Sequence, residues 1–99
     1  MNLRDRARGQ QCYARIPGIC CGNVETVVLA HIRKGGTGGM GIKPADVCAL
    51  PACATCHDSM DGRYPIRWED IEHNIFIGLL QWLDHCYRQG WIKETRNVR

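Results

Sequence analysis

The stretch PACATCHDSMDG, residues 51–62, decides the fold of this 99-residue chain because it combines a metal-binding pair with the signals of a helix. Cys53 and Cys56 are separated by two residues, a spacing that lets both thiolates reach one Zn²⁺ ion. Pro51 suits the first turn of a helix and Gly62 its end, so the sequence predicts a helix between them that carries the pair. The pair is a strong sign of a structural zinc site.

Seven cysteines in the chain supply candidates for the remaining ligands. No apolar run follows the charged first residues, so no secretory signal is visible, and a reducing cytoplasm is the expected location. The count is also odd, and both facts favour metal binding over a set of disulfides. We predict Cys12 and Cys20 as the second ligand pair, although the spacing alone also admits Cys21 in place of Cys20, or Cys48. Cys48 and Cys86 are otherwise interpreted as small buried apolar residues.

Length and composition indicate one globular domain over residues 1–99. Apolar residues make up 44% of the chain and charged residues 23%, which are ordinary values for a folded protein. The net charge of +3 is too small to identify a nucleic-acid-binding protein by itself. The longest apolar stretch, 75–83, is far shorter than the roughly 20 residues of a transmembrane helix, so we expect no membrane role.

The order of the predicted elements indicates an α+β fold. Short β-branched or apolar runs bounded by turn residues predict strands, at 12–16, 24–32, 44–50 and 91–93. The run 44–50 also admits a helical turn, and we favour a strand because 47–50 is apolar and Pro51 follows. Asn2 as cap and Gly9 as stop predict a short N-terminal helix at 3–8. Apolar residues at helical spacing, followed by Gly90 as the stop, predict a long C-terminal helix at about 66–89. Five glycines within 33–41 predict an irregular loop. The zinc-bearing core then spans about 10–63, with the long helix packed over it.

A four-cysteine zinc site has no open coordination position, so the other polar residues require a separate role. His57 and Asp61 are four positions apart on the predicted helix, so both project from one face and can share a divalent ion, Mg²⁺ or Mn²⁺. His31 lies at the end of the strand 24–32, where a neutral imidazole can take a proton from water. Together these residues indicate hydrolysis of a phosphodiester bond.

Basic residues near these positions are candidates for contacts with the DNA backbone. They flank the glycine-rich loop or belong to the first helix, and they are Arg33, Lys34, Lys43, Arg4 and Arg8. A solvated arm is the plainer interpretation of the N-terminal arginines. His73 and His85 fall on the long helix, away from the candidate site, and are interpreted as ordinary surface or packing residues.

Four segments carry a family resemblance: Cys12 with RIPGIC (15–20), LAHIR (29–33), GMGIKPAD (39–46) and ACATCHDSMDGR (52–63). They resemble the HNH endonucleases, and within them the small phage and prophage family of YbcO-like nucleases. The resemblance implies a zinc-stapled, treble-clef-like ββα-metal core and a DNA endonuclease of phage or prophage origin. It also implies that His31 is the general base, that His57 is a metal ligand, and that Cys20 rather than Cys21 completes the zinc site.

Two positions depart from the family pattern. Many HNH enzymes carry a metal-binding Asp or His directly before the general base, and Ala30 at that position can bind no ion. We therefore expect Asp46 or Asp61 to complete the ion site, with Asp58 as a further candidate. The middle Asn of the HNH pattern is also missing, because Cys48 or Asp46 falls near its place.

Two functions from different classes follow. The first is a metal-dependent DNA endonuclease with a role in recombination or DNA processing, which uses Zn²⁺ as structural cofactor and Mg²⁺ or Mn²⁺ as catalytic ion. The second is a zinc-binding adaptor for DNA or protein that has kept the fold and lost the chemistry, an interpretation that Ala30 favours. The candidate partners are DNA, a second copy of the chain in a homodimer, and recombination proteins of the host.

Overall fold

The structure, a computed structural model, describes residues 2–34, 36 and 44–93. Within them the chain has the α+β architecture that the sequence predicts, formed by three helices, one 3₁₀ turn and a two-stranded sheet. In chain order the elements are α1 (Leu3–Ala7), the 3₁₀ turn (Val24–Thr26), β1 (Val28–His31), β2 (Ala49–Ala52), α2 (Ala54–Met60) and α3 (Trp68–Gln89). Lys43 and most of the glycine-rich loop lie outside the described residues.

The sheet fixes the position of His31. β1 and β2 pair antiparallel, with His31 opposite Ala49 and Leu29 opposite Pro51. The prediction that Pro51 starts a helix is therefore wrong: Pro51 lies in β2, and α2 begins at Ala54 with Cys53 as its N-cap residue. Proline is tolerated in β2 because a strand of a two-stranded sheet has one free edge, where a missing N–H costs no hydrogen bond.

All four predicted strands are shorter than expected or absent. The strand predicted at 44–50 begins only at Ala49, because a turn precedes it in which the Cys48 N–H donates to the Ala45 carbonyl at 2.8 Å. Residues 12–16 form no strand, because Arg15 adopts a left-handed backbone conformation with φ of 45° that interrupts an extended run. Residues 24–26 form a 3₁₀ turn, closed by the Asn23 side chain, which accepts a hydrogen bond from the Glu25 N–H at 3.0 Å. Residues 91–93 form no strand, since the Trp91 N–H donates to the Cys86 carbonyl at the end of α3.

The N-terminal helix α1 has Asn2 as its N-cap residue, as predicted. The Asn2 side chain accepts a hydrogen bond from the Asp5 N–H at 2.9 Å, which satisfies one of the free amides of the first turn. Leu3 and Ala7 are buried, and α1 packs against β1. This contact brings the start of the chain, including Arg4, beside the strand that ends in His31.

The long helix α3 covers the sheet and ends at Gly90, as predicted. Gly90 has a φ of 78°, and this left-handed residue closes the helix with its N–H on the Cys86 and Tyr87 carbonyls. The buried face contacts β2, and its members recur at helical spacing: Ile71, Ile75, Gly78, Trp82 and Cys86. Within the described residues, no helix has the length and apolarity needed to cross a membrane.

Gly78 sets how closely α3 approaches the cysteine-rich segment. A side chain at this position would overlap the Tyr13 carbonyl oxygen and bring its Cβ within 2.9 Å of Leu50 Cδ1. The absence of a Cβ therefore lets the helix backbone rest directly on the loop that carries Cys12.

We predict that Gly78→Ala destabilises the protein. Alanine improves helix propensity by about 1 kcal/mol, but overpacking against a backbone carbonyl costs roughly 3 kcal/mol, so we expect a net loss of about 2 kcal/mol. Chemical denaturation of the zinc-loaded protein measures the loss. Leu80→Ala on the exposed face of α3 is the matched control and should cost under about 0.5 kcal/mol. Wild-type stability of Gly78→Ala would contradict the close contact.

Candidate metal centre and histidine cleft

Four cysteines form a compact cluster of sulfur atoms. The Sγ atoms of Cys12, Cys20, Cys53 and Cys56 all lie within 4.8 Å of one another, and those of Cys53 and Cys20 are 3.9 Å apart. Four thiolates at about 2.3 Å around a tetrahedral Zn²⁺ ion are separated by roughly 3.8 Å, so the observed spacing fits this ion. All four cysteines are free thiols. The donor set and its dimensions therefore fit a metal ion such as Zn²⁺.

The local backbone is shaped to serve these sulfur atoms. The Cys53 N–H donates to Cys12 Sγ at 3.3 Å, and the left-handed turn at Arg15 directs a second backbone N–H at the same sulfur. Gly22 provides a backbone N–H for Cys20. Such N–H groups stabilise the negative charge of thiolates, which is the form that binds metal. The unusual φ of Arg15 is thus explained by the sulfur that its amide contacts.

Hydrogen bonding within the cluster separates the pKa values of its thiols. The Cys56 side chain donates to Cys12, which lowers the pKa of Cys12 to about 4, while the same contact, with burial, raises the pKa of Cys56. Burial raises the pKa of Cys20 to about 11. Burial acts in the same direction on Cys53, but hydrogen bonds from Thr55 and backbone amides outweigh it and lower its pKa to about 7. The cluster therefore favours thiolates at Cys12 and Cys53.

The other three cysteines lie outside this cluster. Cys21 is exposed, with its Sγ 4.0 Å from Thr26 Oγ1, and Cys48 is half-buried before β2. Cys86 is fully buried on α3, and burial raises the pKa of its thiol to about 11. The structure thus brings Cys20 and not Cys21 to the other three sulfur atoms.

A second candidate site is a cleft between β1 and α2, which we call the histidine cleft. Its volume is about 260 Å³, and the residues that line it are Arg4, Leu29, His31, Arg33, His57 and Asp61. Leu29 and His31 alternate along β1 and therefore share one face of the strand. α2 packs against both strands, which brings His57 and Asp61 to the same cleft. Both predicted catalytic histidines line it.

His31 is held by a carboxylate. The side chain is 8% exposed, and its Nε2 lies 2.8 Å from Oδ1 of Asp46. The other oxygen of Asp46 lies 3.5 Å from Arg4 Nε. When Nε2 donates to the carboxylate, Nδ1 is the unprotonated nitrogen of a neutral ring. The contact therefore selects Nδ1 as the nitrogen that can accept a proton.

His57 and Asp61 contact each other across one turn of α2. His57 Nε2 lies 3.2 Å from Asp61 Oδ2, and Arg63 Nη2 contacts the same oxygen at 2.7 Å. Both side chains are partly exposed. Apart from the four cysteines, no three His, Cys, Asp or Glu ligand atoms cluster within 4.8 Å of one another among the residues described. Ala30, the position before His31, is fully buried.

Some of the remaining predicted residues line the histidine cleft and others lie outside it. Arg4 and Arg33 line the histidine cleft, whereas Arg8 is exposed outside it. Asp58 contacts Arg63 at 3.2 Å and does not line the cleft. His85 stacks on Trp82 with ring centroids 6.0 Å apart, which fits its interpretation as a packing residue.

Sequence reasoning missed two residues beside the cleft. Arg63 bridges Asp58 and Asp61, and its position two residues after Asp61 was the signal that could have found it. Trp68 lies against Lys34, whose Nζ is 5.4 Å from the ring centroid. Trp68 belongs to the row of apolar residues along α3, and such a row predicts core packing. The sequence therefore contains no sign of the contact between Trp68 and Lys34.

Comparisons with known proteins agree on one family. The family model described as "Putative nuclease YbcO" matches residues 1–80. Curated relatives with this description, from Escherichia coli strain K12 and Enterobacteria phage 82, are each 56% identical over 62 residues. The match covers 63% of this chain and 65% of each relative, so it spans just under two thirds of the relatives' length.

The fold has a counterpart among solved structures. A protein of Escherichia coli K-12 substr. MG1655, described as a "putative bacteriophage protein", superposes on this chain with a TM-score of 0.75 and 38% sequence identity. The superposition covers 90% of this chain and 100% of that one.

We predict that the cluster binds one Zn²⁺ ion through Cys20 and not through Cys21. Cys20→Ser should lose stoichiometric zinc and most of the folded state, since binding a structural zinc contributes on the order of 10 kcal/mol to folding. Cys21→Ser, its neighbour on the same loop, is the matched control and should keep both. Elemental analysis and circular dichroism measure the outcome. Zinc loss in Cys21→Ser alone would overturn the assignment.

We predict that Cys86 is inert in the native protein. Because burial raises the pKa of its thiol to about 11, only about a thousandth of it would be thiolate at about pH 8, and the buried sulfur is also shielded. Iodoacetamide followed by peptide mass spectrometry should label exposed Cys21 and leave Cys86 unmodified until denaturant is added. Comparable labelling of both residues in the folded protein would refute the buried assignment.

Proposed function

This chain belongs to the YbcO family, and from that premise we propose that it is a metal-dependent endonuclease that hydrolyses phosphodiester bonds in DNA. The observation that carries the proposal is the histidine cleft, where two histidines from different elements meet, each in contact with a carboxylate. Two arginines line the same cleft. Proton transfer and phosphate binding thus have candidate groups in one place. The expected context is phage recombination or DNA processing.

We assign β1, β2 and α2 to a treble-clef-like ββα-metal core of HNH type within a single domain over residues 1–99. The order of strand, connecting segment, strand and helix supports this assignment. So does the cluster of four cysteines, in which two sulfur atoms precede the sheet and two lie at the start of α2. The zinc in this core is structural, because four protein ligands leave no position for a substrate.

His31 acts as the general base. Its Nε2 is held 2.8 Å from Asp46, which fixes the ring and leaves Nδ1 to take a proton from the attacking water. Asp46 then stabilises the imidazolium that forms, and Arg4 holds the second oxygen of Asp46. We therefore favour Asp46 as the residue that orients the base, while its predicted role as an ion ligand stays a prediction.

His57 and Asp61 would hold a Mg²⁺ or Mn²⁺ ion. Hard divalent ions are often bound by one or two protein groups together with waters and substrate phosphate oxygens, which suits a site with two ligands and no third one nearby among the residues described. When bound, the ion would stabilise the charge that develops on the phosphate and the leaving oxygen. Arg63 keeps Asp61 in place from the outer side.

Phosphate binding falls first to Arg33. This side chain is exposed, lines the histidine cleft and makes no ion pair with any residue that the structure describes. A guanidinium without an ion pair to another residue can bind a phosphate without first breaking such a pair. Arg4 is the second candidate at the cleft, while Lys34, Lys43 and Arg8 stay predictions as DNA contacts.

A zinc-binding adaptor for DNA or protein is the second candidate function. It is favoured by Ala30, which is fully buried and offers no ligand where many HNH enzymes place one. An adaptor would keep the cysteine cluster and the basic surface, and would need neither His31 nor His57. Cleavage assays therefore separate the two functions.

We predict that zinc-loaded protein nicks supercoiled DNA when Mg²⁺ or Mn²⁺ is added. His31→Ala should lower the rate by roughly 10²–10⁴-fold, the usual contribution of a general base, while zinc content, fold and DNA affinity stay as in wild type. His57→Ala should lose cleavage together with binding of the second metal. Agarose-gel kinetics and Mn²⁺ titration followed by electron paramagnetic resonance provide the measurements.

His73→Ala is the matched control, because this histidine is exposed on α3 and does not line the histidine cleft. Its nicking rate should equal that of wild type. If wild-type protein with intact zinc cleaves neither single- nor double-stranded DNA in either ion, the adaptor function replaces the endonuclease. Cleavage that survives both His31→Ala and His57→Ala would refute the assignment of the catalytic residues, while the endonuclease function would stand.

A further inference from the structure

A larger pocket adjoins the histidine cleft, and we call it the Trp68 pocket. Its volume is about 460 Å³, within the range of sites that hold small organic ligands. Its lining comes from the segment after β1, the end of α2 and the start of α3, and includes Arg33, Lys34, Asp61, Arg63 and Trp68. Arg33 and Asp61 line both cavities, so the two are adjacent.

The lining of the Trp68 pocket combines positive charge with an aromatic ring. Arg33, Lys34 and Arg63 supply three cations, against the carboxylate of Asp61 in the lining and that of Asp58, which contacts Arg63. Arg63 is fixed at the rim by contacts to Asp58 at 3.2 Å and Asp61 at 2.7 Å. The pocket therefore carries an excess of positive charge, as a site for an anionic ligand requires.

Trp68 offers a flat apolar surface within this charge. The ring is only partly buried, and Lys34 Nζ lies 5.4 Å from its centroid. A cation at this distance interacts with the π face of an indole, so the ring presents a face toward the cationic side of the pocket. An aromatic ring bordered by Lys and Arg is the usual platform on which proteins stack unpaired nucleic-acid bases.

We propose that the Trp68 pocket binds one unpaired nucleotide of DNA next to the scissile phosphate, with its base stacked on Trp68 and its phosphates near Arg33. The proposal rests on the proposed function, because it places this nucleotide beside the phosphate in the histidine cleft. A base inside a duplex is stacked and paired, so it enters a pocket only after it is flipped out of the helix, at a cost of about a few kcal/mol, whereas an unpaired base avoids most of this cost. The site therefore selects single-stranded DNA, or the single-stranded part of a branched substrate.

Binding of short oligonucleotides tests the pocket without any cleavage. The probes are a fluorescein-labelled oligothymidylate and a blunt duplex of mixed sequence, and the zinc-loaded protein is used without added Mg²⁺ or Mn²⁺. Trp68→Leu should weaken binding of the single strand about tenfold, the scale of one base–aromatic stack, and change duplex binding less than about twofold. Trp68→Phe should restore most of the affinity, because the phenyl ring keeps a face for stacking.

The controls separate stacking from charge and from damage to the fold. Tyr87→Leu removes an exposed aromatic ring at the opposite end of α3 and should leave both affinities unchanged. Arg33→Gln should reduce the slope of log K against log salt concentration for single-strand binding by the amount that corresponds to about one phosphate contact. Trp68→Leu should leave this slope unchanged. Zinc content and circular dichroism establish that each variant is folded.

A wild-type experiment removes any dependence on variants. Ultraviolet crosslinking of an iodouracil-substituted single strand should attach the base to the peptide that contains Trp68. Crosslinking elsewhere, or equal loss of single-strand and duplex binding in folded Trp68→Leu, would overturn the pocket. Single-strand binding through Trp68 without any nicking would sustain the pocket and refute the endonuclease. If the wild-type protein nicks DNA and Trp68→Leu binds single strands as tightly as wild type, the endonuclease is sustained and the pocket is refuted.

Discussion

The convergence of four sulfur atoms is the constraint on which the rest of this structure depends. Cys12 and Cys53 are 41 residues apart, and the cluster holds the N-terminal loop against the start of α2. A structural zinc contributes on the order of 10 kcal/mol, comparable with the whole stability of a typical domain, which is about 5–15 kcal/mol. In a chain with a two-stranded sheet, such a metal outweighs any single packing contact. With zinc bound, the protein would gain from ligand geometry the stability that a larger domain gains from its core.

The same cluster positions the candidate chemistry. His57 directly follows Cys56, and Asp61 lies one turn further along α2, so the cysteines at the start of the helix set the direction of both side chains. β2 leads into Cys53 without an intervening loop, and its pairing with β1 places His31 opposite Ala49. The histidine cleft therefore lies between β1 and a helix whose start carries two of the four cysteines. If the cluster holds zinc, loss of that ion would disturb the position of α2 and with it the cleft.

The features that could be predicted from the sequence were those with local causes. Helical spacing and Gly90 predicted the C-terminal end of α3, and the Cys53–Cys56 spacing predicted the metal centre. The failures have tertiary causes: Arg15 turns left-handed to serve the sulfur of Cys12, and Pro51 joins a strand because β1 lies beside it. The contact between Asp46 and His31 also crosses 15 residues, so no local pattern could assign Asp46 to the base.

Arg33 and Asp61 line both cavities, although the two cavities have different proposed roles. The Trp68 pocket would bind a base, and the histidine cleft would carry out the hydrolysis. One stacked base changes affinity by about tenfold, whereas a general base changes rate by roughly 10²–10⁴-fold. The proposed roles of Trp68 in substrate choice and of His31 in catalysis therefore differ in scale as well as in position. Because Arg33 borders both cavities, a phosphate bound there would fix the reacting bond relative to the stacked base. The fold thus offers a physical route from the shape of the DNA to the place of cleavage.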